Sequence, residues 1–320
     1  MRLYNRRNKY GGSDSSVLRA SQNRENIGGG LMKHYAIDSK EISETVKNLA
    51  LKANIELPPG MKNLIKSAKD IETRPLAGQA LDDILTNVQL AAEKRMPICQ
   101  DCGLAVVFIE LGQDAHVNGD ITEAVNSGVR SAYTEGYLRK SVVLDPLFNR
   151  KNSGDNTPAI IHWSIVPGHN MKITISPKGM GSENMSKIFM LKPADGAEGV
   201  IKAVIETVKA AGPNPCPPIV LGIGIGGNFE TVALAAKRAL LAKEGVRSDI
   251  KEYAAMEERI ISEANALGIG AGGYGGDTTV LDAHIETLPT HIAGMPVAVN
   301  ICCHALRHAS AEIEGRLCND

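Results

Sequence analysis

The chain has 320 residues, 43% hydrophobic and 22% charged, which are values of a globular protein and exclude collagen, coiled coil and wholesale disorder. Thirty-five Lys and Arg against 36 Asp and Glu leave a net charge of −1, so no chain-wide basic field recruits nucleic acid or anionic lipid. Aromatics at 4% are too few for base-stacking platforms, and six cysteines spread through a chain this long do not make a disulfide scaffold.

Residues 1–30 carry Arg2, Arg6, Arg7, Lys9, Arg19 and Arg24 against Asp14 and Glu25 among Ser, Asn and Gly, and the stretch 1–33 reads as a disordered tail or an upstream extension before Met32. No apolar stretch reaches the ~18 residues that a membrane span needs. The start lacks the apolar core of a secretory signal, so a cytoplasmic protein with reduced thiols is expected.

Asp38 followed by Glu41 predicts an N-cap with its capping partner, and Ile42, Val46, Leu49 and Ala53 then recur at helical spacing until Pro58, Pro59 and Gly60 end the helix. Pro75 suits a first helical position, and Leu76, Ala80, Leu81, Ile84, Val88 and Ala91 form one stripe that stops before Pro97. Residues 104–111 are almost wholly apolar, as in a buried strand, which makes 97–103 a helix-to-strand loop. Residues 160–166 and 171–176, joined by Pro167-Gly168-His169-Asn170, read as a hairpin that runs into a loop suited to anions at 178–184. A helix over about 198–211 breaks at the proline-rich 213–218. A glycine-bearing strand at 219–227 and helices near 229–241 and 250–267 come next. Gly272-Gly273-Tyr274-Gly275-Gly276 then leads into a mixed, apolar C-terminal part. No repeat or low-complexity linker divides residues 34–320, so a single α+β unit is expected.

Gly222, Gly224 and Gly227 satisfy G-x-G-x-x-G with Glu244 about 20 residues beyond the strand, which would suit an NAD-binding oxidoreductase. No βαβ rhythm surrounds them, and close backbone packing near Cys216 explains the glycines better. Cys99 and Cys102 form C-x-x-C without the second pair of a zinc ribbon, and the adjacent Cys302 and Cys303 diverge. His304 and His308 stand at i and i+4 on an expected helix, but Ala305 replaces the Glu that a zinc protease needs, and ordinary packed or surface histidines are the better reading. There remain Cys99, Cys216 and one of Cys302 or Cys303, each at a loop or element end. Three thiolates would leave one iron of a 4Fe-4S cluster open to substrate, a device suited to dehydration, where hydroxide must leave while a weakly acidic C–H proton is taken. An iron-sulfur electron carrier would explain the cysteines alone, but not the Asp, Arg and Ser/Asn loops with them.

Four segments, Cys99-Gln100-Asp101-x-Gly103, Lys178-Gly179-x-Gly181-Ser182-x-Asn184, Asn214-Pro215-Cys216-Pro217-Pro218 and Leu288-Pro289-Thr290-His291, together resemble the class I, iron-sulfur fumarases and the related L(+)-tartrate dehydratases, in the same order. The resemblance spans residues 35–315 and is to the α subunit, or N-terminal domain. It implies a 4Fe-4S cluster on Cys99, Cys216 and Cys303, with Cys302 a bystander. It further implies Gln100, Arg139, Gly179 and Gly181 on a small dicarboxylate substrate, supported by Ser182 and Asn184, and catalytic roles for Asp101 and His291. A β subunit would carry the remaining catalytic residues, in a dimer of α–β pairs. Reversible hydration of fumarate to malate is the first expectation, and tartrate dehydration the alternative. Two positions depart from the family pattern: Cys102 stands for Thr and Met180 for Gly.

Overall fold

The computed structural model describes residues 35–318, so the expected N-terminal tail lies outside the described residues. The chain runs β1 (Tyr35–Asp38), α1 (Ser39–Ile55), α2 (Pro59–Ile71), α3 (Pro75–Lys94), β2 (Leu104–Gly112), β3 (Ala115–Asn118), α4 (Ile121–Glu135), β4 (Ile160–Val166) and β5 (Met171–Lys178). It continues with α5 (Met180–Glu183), β6 (Lys187–Leu191), α6 (Gly196–Ala211), β7 (Ile219–Gly226), α7 (Thr231–Ala239), α8 (Lys251–Asn265), β8 (Val280–Leu288), β9 (Met295–Cys302), β10 (Ala309–Ile313) and β11 (Arg316–Leu317). This is the expected α+β fold. Among the described residues no helix is long and apolar enough to cross a membrane.

Two four-stranded sheets carry the architecture, ordered β10-β5-β2-β4 and β6-β9-β7-β8, with a small third sheet β11-β1-β3. The first sheet packs Val107, Ile109, Ile173 and Ile175 against Ile42, Val46 and Ala50 of α1 and Val125, Val129 and Tyr133 of α4. The second packs Leu221, Ile223, Val297, Val299 and Ile301 against α6 and Ile260 and Ala264 of α8. On its other face α7 lies so close that a side chain at Gly222 would run into the Ala236 carbonyl, and one at Gly224 into that of Val232. Those glycines therefore serve helix packing.

Several local expectations need correction. Pro59 begins α2 at its first turn, because a missing N–H costs nothing there, so α1 ends at Ile55 and the Pro-Pro-Gly run opens the next helix. Asp38 caps α1 by accepting from the Lys40 N–H at 2.8 Å, but Glu41 pairs with Arg316 at 2.8 Å and completes no capping box. The buried line of α3 is Ala77, Leu81, Val88 and Ala91, and Leu76 is 66% exposed. The segments 160–166 and 171–176 are strands but not a hairpin, since β2 lies between them, parallel to β4 and antiparallel to β5. The nearly unbroken apolar run of β2 takes the central place, and the more polar β4 takes the edge. His304 and His308 lie in an irregular segment between β9 and β10, not on a helix.

Strand direction decides what meets at the ends. Leu104 at the start of β2 pairs with Lys178 at the end of β5. In the other sheet the start of β7 lies beside the start of β8 and the end of β9, with Val220 opposite Cys302.

Candidate active site

Three sequence-distant segments are tied together at this end of the sheets. Residues 303–308 reach both of the other cysteine loops: His304 Nδ1 lies 3.1 Å from the Cys216 carbonyl oxygen, and Arg307 Nη2 donates to the Asp101 carbonyl. Cys216 precedes β7 with φ of +54°, a left-handed conformation that costs an L-residue roughly 1–2 kcal/mol and turns the exposed thiol off the strand. Burial pushes this thiol up, and the nearby Cys303 and Cys99 thiols push it further. Cys99, Cys216 and Cys303 thus share one electrostatic neighbourhood.

Cys102 and Cys302 adjoin this neighbourhood, beside Cys99 and Cys303 respectively, but their thiols are buried in packing. Cys102 is 1% exposed in the α1/α4 core, and its sulfur accepts the Arg139 N–H at 3.1 Å. Burial raises its pKa, which keeps the proton on. Cys302 is buried on β9, and Cys318 lies beyond β11. The expected 4Fe-4S group can be tested against the donor set. Among the described residues no three His, Cys, Asp or Glu side chains approach closely enough to hold a single metal ion. Three half-buried or exposed thiols from three neighbouring segments fit a multi-iron group, whose thiolates bind different irons.

Asp101 joins two loops. One carboxylate oxygen accepts the Gly103 N–H at 2.9 Å and the other the Met180 N–H at 2.8 Å. Gly179 lies against this carboxylate, where a Cβ would sit 3.2 Å from Oδ2, so a larger residue would press the two loops apart. A side chain at Gly181 would meet nothing within 4 Å, leaving backbone open there. Gln100 is exposed beside Cys99, whose thiol lies 3.4 Å from its Oε1. Arg139 is exposed and forms no ion pair among the described residues. Its loop is pinned by Asn156, which accepts the Ser141 N–H at 2.7 Å and donates to the Gly103 carbonyl at 3.1 Å.

His291 is not brought to this end. It follows β8, whose start lies beside the start of β7. The eight residues of β7 place His291 roughly 23 Å from the cysteine end at 3.3 Å per residue. There it is exposed, and its Nδ1 accepts the Ala293 N–H at 3.1 Å. The expected catalytic role for His291 therefore does not hold at the cysteines of its own chain.

Sequence reasoning missed the support behind the loop 178–184. Lys178 is 4% exposed and donates to Ser182 at 2.9 Å. Glu183 takes Lys178 at 3.2 Å, Asn300 of β9 at 2.8 Å and Lys237 of α7. Burial opposes its charge, yet the two lysines hold the Glu183 carboxyl below its ordinary value. A lysine at the end of a strand that alternates apolar Met171, Ile173 and Ile175 with polar residues was the available signal. Elsewhere a cleft of about 520 Å³ is lined by Phe108, His162, Arg238, His284 and His308 among others, and none of the cysteines borders it.

The sequence profile of the family described as fumarate hydratase (Fumerase) matches residues 43–312. The "Putative L(+)-tartrate dehydratase subunit alpha" of Methanocaldococcus jannaschii is 41% identical over 280 residues, covering 86% of this chain and 98% of that protein. The L(+)-tartrate dehydratase subunit alpha of Escherichia coli strain UTI89 is 30% identical over 280 residues, covering 87% and 92%. That of Escherichia coli strain K12 is 29% identical over the same shares.

Proposed function

We infer the reaction from one premise: this chain belongs to the family of class I fumarate hydratase and L(+)-tartrate dehydratase α subunits, and is a hydro-lyase subunit. The proposed activity is the reversible hydration of fumarate to malate, with a 4Fe-4S cluster on Cys99, Cys216 and Cys303. The observation that carries the reading is the hydrogen-bonded junction of the three cysteine segments through His304 and Arg307, with Cys102 and Cys302 turned into packing.

In dehydration, hydroxide leaves C2 of malate and a proton leaves C3. When bound, the cluster supplies Lewis acidity at its open iron to the departing oxygen. Arg139 grips one substrate carboxylate with its free guanidinium fork. Backbone at Gly179 and Gly181, steadied from behind by Ser182, Lys178 and Glu183, receives the other. Gln100 orients the substrate beside Cys99. Asp101 fixes the two loops through its backbone contacts, while each carboxylate oxygen keeps a further lone pair for a second partner. The base that takes the C3 proton and further carboxylate-binding groups belong to a β subunit, in keeping with the "subunit alpha" names of the relatives.

The tartrate dehydratase names favour a second reading, in which the same groups act on L(+)-tartrate. Anaerobic co-expression with a β subunit from the same genome, followed by assays on fumarate, mesaconate and tartrate, decides between them. The expected result is iron and sulfide uptake without turnover by the isolated chain, and fumarate hydration by the complex. Turnover by the isolated chain overturns the two-subunit reading. A complex active on tartrate alone selects the second.

A further inference from the structure

Arg307 is a buried cation with most of its bonding capacity unused. It is 3% exposed. Nη2 donates to the Asp101 carbonyl, while buried Nε and Nη1 have no hydrogen-bond partner. Among the described residues no carboxylate pairs with it. A guanidinium cannot shed its proton to escape this cost, and an unpaired buried charge is among the most destabilising arrangements a fold can carry. Its surroundings deepen the imbalance. Lys178, whose Glu183 is shared with Lys237, is a second cation that faces the buried Cys302 together with Arg307, next to Cys303.

The position suggests what the charge is for. Arg307 follows Cys303 by four residues, its carbonyl lies 3.4 Å from the Ser176 hydroxyl that donates to it, and its side chain reaches beneath the Cys99–Gly103 loop. Thiolates and sulfides are the anions this end of the molecule would gather, and hydrogen bonds to sulfur tune such centres. The geometry points to Arg307 as the buried counter-cation of the sulfur centre, a positioning residue whose spare N–H donors and unneutralised charge stabilise the loaded chain over the empty one. This rests on the cluster reading above. Replacing a partner in the outer shell of a metal site costs 10–100-fold in affinity.

The test compares the full chain with Arg307→Met, Arg307→Gln and Arg307→Lys, each reconstituted anaerobically. Cluster loss to an iron chelator is followed by absorbance, and thermal midpoints are taken for empty and loaded forms. Met and Gln are expected to lose the cluster about 10–100 times faster than wild type, with Lys between. The empty Met variant should melt no lower than the empty wild type, because an uncompensated charge has gone. Gln can still donate to the Asp101 carbonyl, so its fast loss separates charge from loop support. Loss at the wild-type rate in Met and Gln overturns the proposal. So does an equal fall in melting point of empty and loaded Met chains, which marks a merely structural residue. A wild-type chain that takes up neither iron nor sulfide overturns the cluster reading itself, and this proposal with it.

Discussion

The Asp101 carboxylate accepts the Met180 N–H at 2.8 Å, clasping the loop after α3 to the loop after β5. Its other oxygen holds Gly103 within its own loop, so one side chain sets the spacing of two segments proposed to face substrate. Asp101→Ala should cost about 1–2 kcal/mol in urea unfolding and lower kcat of the α–β complex at least roughly 100-fold. Amide exchange at Met180 should accelerate with it. Unchanged exchange would mean that the clasp is not what holds the loop.

The proposed ligand set separates the cysteines sharply. Cys99→Ala, Cys216→Ala and Cys303→Ala should abolish the visible absorbance of the anaerobically loaded chain, whereas Cys302→Ala and Cys318→Ala should keep most of it. Cys102→Ala should also keep it while losing stability, since its thiol fills core and accepts the Arg139 N–H. Iron counts per chain check each case.

Arg139 is exposed and unpaired among the described residues, so its removal should leave the thermal midpoint unchanged. Arg139→Gln should raise KM of the complex by about 10–100-fold, the worth of a charged hydrogen-bonded pair. Arg139→Lys should recover only part of this, because an ammonium lacks the planar fork. Steady-state kinetics against dicarboxylate concentration provide the measurement.

Asp282 gives the fold a pH dependence. Burial works against its charge, but His284, the Gly245 N–H and Arg247 together hold its carboxyl below the ordinary 3.8. The folded value lies below the unfolded one. The stabilisation is therefore complete above pH 3.8 and disappears as pH falls through the folded value. Asp282→Asn should cost about 3 kcal/mol at pH 7, and its deficit against wild type should shrink in acid. Denaturant midpoints at pH 7, 4 and 3 would show that convergence.

Much of this arrangement was legible in the sequence, because local physics writes itself locally. The 3.6-residue stripes of α1 and α3, the apolar run of β2 and the motif loops needed only near neighbours. Long-range partnership was not legible. Nothing in residues 160–178 tells that β2 slips between two strands that are consecutive in the chain, and the capping partner expected at Glu41 is drawn away by Arg316 from the far end of the chain. The motif around His291 names a residue type but not which end of a strand it occupies. Nothing local to Arg307 or Glu183 signals that the fold buries the first and places the second between two lysines.

The three converging thiols come from the loop before β2, the turn before β7 and the segment after β9. An unfinished polypeptide in which β9 has yet to emerge cannot gather them, because Cys303 follows that strand, far along the chain from the Cys99 loop. Loading of the proposed cluster would then wait until all three segments have been made and folded together, and a stop upstream of Cys303 would leave the other two thiols idle.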